Sequence, residues 1–395
     1  MLPDLDQIFV VLKHWLIDQL TPVLPGFWLQ VVSAIVSLVP ILLVFPALFA
    51  ITTVLERKGL GRIQNRYGPN RVGPFGFLQF AADGIKALIK EDVVPRAADR
   101  VVHFLAPIVL LVPSLLVYAV IPVGRNMIAI DLDTGLLFFF AIGAASELAV
   151  FMAGWSSRNK YALLGAMRAI AQMVSYEIPL ILSTVSVVMI TGTLSPVKIV
   201  EAQSGHVGLL PDWFVFTPWG FAGFILFLIA ANAESNRSPF DMPEGESEII
   251  AGYFIEYSGF KFAIFFLAEY LSLFAICGLG ITLFLGGWQA PYAGLEFIPS
   301  WCWFFIKLMA LIALFIWTRG TLPRLRVDQL MNFAWKFMIP MVLINLVAAA
   351  LWHYIPETLP RWLAGATLVI SSYVLLGRGL IQKKHLNKRT YHFAD

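Results

Sequence analysis

The sequence predicts an all-α integral membrane protein of about nine transmembrane helices, with an amphipathic surface helix and charged cytoplasmic loops. Three observations carry this. The 395 residues are 59% hydrophobic and 13% charged, against roughly 45–50% and about 25% in an ordinary soluble domain. Nine apolar windows approach or exceed the ~20 helical residues that a hydrocarbon layer ~30 Å thick requires. Basic residues also divide unequally between alternate loops, as the retention of positive charge on the cytoplasmic side demands. No polar block is long enough for a separate soluble domain, so one membrane-embedded unit is expected.

In chain order, Asp6 to Leu20 comes first. It places Phe9, Leu12, Leu16 and Leu20 at helical spacing and reads as a short anchor along the outer interface. This start carries Asp4, Asp6, Lys13, His14 and Asp18, which is unlike a cleavable signal. The windows follow at approximately Val31–Leu55, Val101–Val123, Gly135–Trp155, Leu163–Ile190, Val215–Ala233, Gly259–Leu285, Trp301–Trp317, Phe337–Tyr354 and Trp362–Leu380. With these spans, 21 of the 28 Lys and Arg residues fall on one side, nine of them between Arg57 and Arg100. Lys13, Arg125, Lys198 and Arg361 fall on the other, while Arg168, Lys261 and Lys307 lie inside spans or at their ends. The expected topology has the N-terminus outside and the C-terminus cytoplasmic or matrix-facing. Three regions result: an interfacial segment at 1–30, an eight-span core at 31–354, and a further helix with a basic tail at 355–395. No internal repeat of the kind that marks many secondary transporters is apparent, which counts against a stand-alone carrier.

The stretch Glu56 to Pro74 is strongly basic and rich in Gly and Pro, and is expected to be an irregular loop. Gly59 and Gly61 begin what looks like a dinucleotide fingerprint, but Gln64 breaks it and no strand precedes it. After Pro74, Phe77, Ala81, Ile85 and Leu88 share one helical face, opposite Gln79, Asp83, Lys86 and Lys90, which predicts a helix on the membrane surface. Lipid headgroups account for the basic residues; Asp83 fits that account less well, its plainest role being a helical pair with Lys86.

Between the fifth and sixth windows the charge inverts. Glu234, Asp241, Glu244, Glu246, Glu248 and Glu256 are set against Arg237 alone. A solvated acidic connector is the plainer account. The alternative is that this loop packs against the basic one on the same side, making a polar structure in which crowded carboxylates exchange protons near neutral pH. Deeper in the chain, Glu147, Glu177 and Glu269 sit well inside spans, and Glu234 closes the fifth. An ionisable group at that depth is a functional candidate by default. Pro179 removes a helical hydrogen bond next to Tyr176 and Glu177, which suits a wet proton path. The competing account is a buried pair with Arg168, Lys261 or Lys307.

Redox chemistry by the chain itself is not expected. The six histidines, His14, His103, His206, His353, His385 and His392, are not disposed to ligate a haem in pairs. Cys277 and Cys302 lie in apolar stretches with no metal-binding spacing.

The ordered motifs Glu56-Arg57-Lys58 through Gly68-Pro69-Asn70 to Val72-Gly73-Pro74, Ala82-Asp83-Gly84, Glu234 through Asp241 with Glu244, Glu246 and Glu248, Ala268-Glu269-Tyr270, and Arg319 through Arg324 with Asp328 to Met331 span most of the chain. Together they resemble the family of the H subunit of NADH-quinone oxidoreductase, which is NADH dehydrogenase subunit 1 in mitochondria. The ninth window and basic tail look more like the bacterial form, implying a bacterial inner membrane. The resemblance implies a complex I subunit that encloses a quinone, its substrate, at the cytoplasmic edge. It also implies that NADH, FMN and iron-sulfur clusters are carried by partner subunits, with an iron-sulfur protein docked on the charged loops, further membrane subunits alongside, and no nucleic acid. Expected chamber residues are Arg57, Arg62, Arg66, Asp83, Arg237, Asp241, Glu244, Glu246 and Glu248. The expected proton path comprises Glu147, Tyr176, Glu177, Glu234, Glu256 and Glu269, with no metal and no permanently bound cofactor. Two rivals remain at this point: a quinone-independent docking subunit of a membrane-bound hydrogenase, and a proton or cation carrier acting alone.

Overall fold

A computed structural model describes residues 6–21, 25–207, 210–243, 252–295 and 297–381. Among these, eight helices are long and apolar enough to cross a membrane, and a ninth apolar helix is shorter. Each of the nine windows falls on one of them. The only strands in the described residues are two of two residues each, His206–Val207 pairing antiparallel with Leu210–Pro211.

Helix α1 (Ile8–Leu20) packs on α2 (Gly26–Ile63), where Lys13 Nζ donates to Ser37 Oγ at 2.7 Å. Helix α2 runs two turns beyond its apolar window, so the first part of the expected irregular loop, Glu56 to Ile63, is helical. Glu56 finds partners inside the protein, and the helix therefore continues past the point where hydropathy falls. The chain then folds back on this end. A side chain at Gly68 would place its Cβ 2.8 Å from Lys58 Cα, and one at Gly76, whose φ is +74°, would meet the Pro69 carbonyl at 2.2 Å. These glycines are needed for close backbone approach. Surface helix α3 (Gln79–Ile89) follows, as its periodicity predicts.

Helix α4 (Arg100–Leu116) is capped by Asp99, whose carboxylate accepts from the Val101 and Val102 amides. The third span is two helices, α5 (Gly135–Gly143) and α6 (Ala145–Ser156), with an interruption at Ala144. There the Glu147 amide bonds back only three residues, to the Ala144 carbonyl at 3.3 Å. Helix α7 (Lys160–Thr191) is capped by Asn159, contains Pro179, and ends at Gly192 in the left-handed region. Short α8 (Pro196–Glu201) precedes α9 (Pro218–Glu234), the ninth apolar helix, whose N-cap Thr217 accepts from Gly220 N.

Helix α10 (Gly259–Phe284) is the most enclosed, and α11 (Ser300–Thr321) packs beside it. Helix α12 (Val327–Phe333) passes through a π-helical turn at Ala334–Met338 into α13 (Ile339–Tyr354), and α14 (Thr358–Ile381) packs on α13. The centre is α7 held by α6, α9 and α13. Small residues permit the approach: Ala153, Ala162, Ala166 and Ala169 are fully buried, and a Cβ at Gly154 would lie 2.4 Å from that of Ala166.

Lys307, inside α11, lies beyond the C-terminal end of α10. Its ammonium donates to the carbonyls of Leu285, Gly287 and Gln289 at 2.7, 2.9 and 2.7 Å and stands 4.0 Å from the centroid of the Trp213 ring. It therefore satisfies backbone acceptors at the helix end rather than pairing with a membrane glutamate. Lys261 likewise pairs with Asp92 at 2.7 Å.

Candidate functional site

The C-terminal parts of α2 and α11 and the middle of α10 converge with the chain leaving α9 on one buried ion cluster. Glu56 is 3% exposed. Its carboxylate accepts from Arg237 Nη1 at 2.8 and 2.9 Å, from Tyr270 Oη at 2.5 Å and from Arg319 Nη1. Arg237 also places Nε 3.7 Å from Glu269 and its guanidinium 4.0 Å from the centroid of the Tyr270 ring. Burial opposes the charge on Arg237, but Tyr270 and the carboxylates of Glu56 and Glu269 outweigh it and hold the group above its ordinary pKa. A charge removed from water this thoroughly persists only when paired and hydrogen-bonded, as Arg237 is through Nη1.

The cluster borders a second polar site through Glu269. A cavity of about 80 Å³ between α4, α5, α7 and α10 is lined by Glu177, Glu234 and Glu269, with Ser146, Asn236 and Ser272. Glu147 follows Ser146 on α6, next to the cavity lining. Glu147 Oε1 and Glu234 Oε2 are buried with no hydrogen-bond partner among the described residues. One water needs ~10–15 Å³ of such space and two or more polar partners, so several waters fit and would satisfy the Glu234 oxygen. The interruption at Ala144 lines the same cavity, in keeping with irregular backbone at membrane depth being tolerated beside buried polar space.

Other expected residues occupy distinct positions. Arg57 forms an ion pair with Asp83 across α2 and α3, and Gln79 Nε2 donates to the second Asp83 oxygen at 3.0 Å. Arg62 and Arg66 are exposed, Arg66 bonding Gln64 at 2.8 Å, so neither joins the buried cluster. Asp241 offers its carbonyl to Arg324. Glu244, Glu246 and Glu248 lie outside the described residues. The Tyr176 hydroxyl donates to the Leu330 carbonyl at 3.0 Å, tying α7 to α12, and does not line the cavity. Glu256 is held apart from the other glutamates: Asn159 Nδ2 donates to its carboxylate at 2.7 Å, and the His103 Nε2 lies 3.3 Å from its carbonyl. Beside it, burial pushes the Tyr257 phenol up to about 12 against the opposing bond from Ser156.

Three contributors escaped the sequence reading as site residues: Glu56, Tyr270 and Arg319. The available signal was a carboxylate directly following an apolar run, at Leu55-Glu56. Gln172 was also missed. It is buried and donates Nε2 to the carbonyls of Ala233 and Phe240 at 2.6 and 2.7 Å, fixing the turn that carries Arg237 against α7.

A family model described as NADH dehydrogenase matches residues 35–350. Curated relatives agree with it. The NADH-quinone oxidoreductase H subunit of Dehalococcoides mccartyi is 49% identical over 324 residues, 82% of this chain and 87% of that protein. That of Geobacillus kaustophilus is 50% identical over 296 residues, 75% of this chain and 86% of its own. That of Carboxydothermus hydrogenoformans is 44% identical over 352 residues, covering 89% and 97%.

Proposed function

Since the chain belongs to the NADH dehydrogenase family, we propose that it forms the membrane side of a quinone chamber and passes the effect of quinone reduction to its buried carboxylates. It is an integral membrane subunit of NADH-quinone oxidoreductase, an enzyme complex. In this reading NADH, FMN and the iron-sulfur clusters reside in partner subunits. An iron-sulfur protein docks on the basic and acidic loops, and other membrane subunits pack alongside. The membrane is the bacterial inner membrane, with the C-terminus cytoplasmic. Residues 31–354 carry the chamber and path, and 355–395 supply an accessory helix and tail.

The carrying observation is that Arg237 touches Glu56 on one side and Glu269 on the other. Reduction of a quinone to a quinol takes two electrons and two protons. Negative charge arriving at the basic edge draws on the cations Arg57, Arg237 and Arg319. A guanidinium that shifts toward that charge weakens its hold on Glu269, and the carboxylate then takes a proton from the neighbouring cavity. Glu234, Glu177 and Glu147 relay the change further into the membrane through water. Asp83 and Asp241, with Glu244, Glu246 and Glu248, supply protons or respond to charge at the chamber itself, while Tyr176 and Glu256 fix the path's walls.

The test is an assembled Glu269→Gln complex in proteoliposomes. NADH-to-quinone turnover and proton translocation are expected to fall together by at least about tenfold, an effect of roughly 1.4 kcal/mol, while NADH oxidation by a soluble artificial acceptor stays unchanged. Wild-type values for both coupled activities would sink the proposal.

A further inference from the structure

We propose that the cavity between α9, α11 and α12 holds an acyl chain of an anionic phospholipid bearing a hydroxylated headgroup, with Arg324 and Arg326 receiving its phosphate. This cavity lies on the opposite face of α9 and Phe240 from the carboxylates and is separate from them. Its volume is about 670 Å³, within the ~300–1,000 Å³ typical of ligand sites. The walls are hydrocarbon and aromatic, including Leu228, Leu314, Phe315 and Phe333. Asn232, Thr318, Gln329 and Asn332 supply polar groups. It lies toward the C-terminal ends of α9 and α11, the level at which a lipid chain meets its headgroup.

Two unsatisfied atoms specify the headgroup. Asn232 is 6% exposed and lines the cavity, yet its amide oxygen has no hydrogen-bond partner among the described residues. Arg324 Nε is likewise buried without an acceptor. Asn232 lines the cavity, its Nδ2 reaching the Ser238 carbonyl at 3.5 Å, and Arg324 directly precedes the lining residue Leu325, whose amide bonds the Pro239 carbonyl at 3.2 Å. Arg326 is exposed one turn before Gln329. An occupant that completes this site must offer an acceptor to Arg324 and a donor to Asn232. A phosphate with a glycerol hydroxyl offers both, and its charge complements the two arginines. An oxidised quinone offers only acceptors, and a choline headgroup has no donor.

The assembled complex in proteoliposomes provides the test, using phosphatidylglycerol and phosphatidylcholine that each carry a photoactivatable diazirine in the acyl chain. Peptides covering residues 225–232 and 314–333 are expected to be labelled about tenfold more by the phosphatidylglycerol probe, a ratio equal to ~1.4 kcal/mol, because choline sets a cation beside the two arginines and offers Asn232 no donor. In R324Q/R326Q, with assembly and artificial-acceptor NADH oxidation intact, that preference should fall several-fold, leaving the share carried by the hydroxyl on Asn232. L314W, which fills the cavity, should abolish labelling by both probes at these peptides while leaving labelling elsewhere unchanged. Equal labelling of the wild-type by the two probes, or a preference undiminished in R324Q/R326Q, would overturn the proposal. So would a wild-type complex that neither probe labels there, as when a partner helix or a quinone fills the space.

Discussion

Glu56 sets three donors from different parts of the chain on one carboxylate, so its removal differs in kind from the removal of any one donor. Glu56→Gln leaves Arg237 and Arg319 in place without their anion, and breaking a buried pair in this way costs about 3–5 kcal/mol. Tyr270→Phe removes one hydroxyl and should cost roughly 1–3 kcal/mol. The thermal midpoint of the purified complex should therefore fall much further for Glu56→Gln than for Tyr270→Phe, with quinone turnover falling in the same order. Equal midpoints for both variants and wild type would show that the cluster does not support the fold. Glu56 was hard to recognise from sequence for a physical reason. A carboxylate at the end of an apolar run is usually hydrated at the interface, and only the tertiary approach of α10 and α11 turns that position into an interior. Glu177, Glu234 and Glu269 were legible because a carboxylate within an apolar run has no hydrated alternative.

At the level of elements, apolar length located each candidate spanning helix among the described residues, because hydrocarbon thickness acts directly on composition. It did not locate their ends. Helix α2 continues to Ile63 in a basic stretch, and α12 begins ten residues before the eighth window. Hydropathy measures contact with lipid, whereas a helix ends where its backbone bonds end. The interruption at Ala144 was equally hidden, since neither Gly143 nor Ala144 departs from an apolar pattern that tolerates either geometry. The α6–α7 contact depends on alanines and Gly154, so Ala166→Leu should force these helices apart and cost about 1–3 kcal/mol by overpacking. Because α6 carries Glu147 and α7 carries Glu177, proton translocation per quinone reduced is expected to drop in the complexes that still assemble. An unchanged ratio would mean that the spacing of these two glutamates is immaterial.

Across the whole molecule, the buried cluster joins positions 181 to 263 residues apart. Such contacts form only after most of the chain is inserted, and no local pattern announces which helices become neighbours. The charge asymmetry, by contrast, is legible from sequence because it acts on each loop independently. Cysteine at Arg71 should react with an impermeant reagent from the cytoplasmic side, once partner subunits are stripped, and cysteine at Arg125 only from the opposite side. The reverse pattern would overturn the orientation and with it the docking of an iron-sulfur partner on the basic face.

Lys307 carries a consequence for how the chain is made. A lysine near the middle of a helix costs about 2.5–3.5 kcal/mol when the insertion machinery partitions that helix alone into lipid. Here the three carbonyls that receive its ammonium lie just past the end of the preceding helix, and are already synthesised when α11 emerges. The two segments are therefore best delivered as a hairpin, the earlier one acting as a chaperone for the later. In a glycosylation-mapping assay of membrane integration, Lys307→Leu should raise insertion of residues 300–321 strongly when they are presented alone. When residues 259–321 are presented together the gain should be small. An equal gain in both contexts would mean that α11 enters the bilayer unaided and meets its neighbour only afterwards.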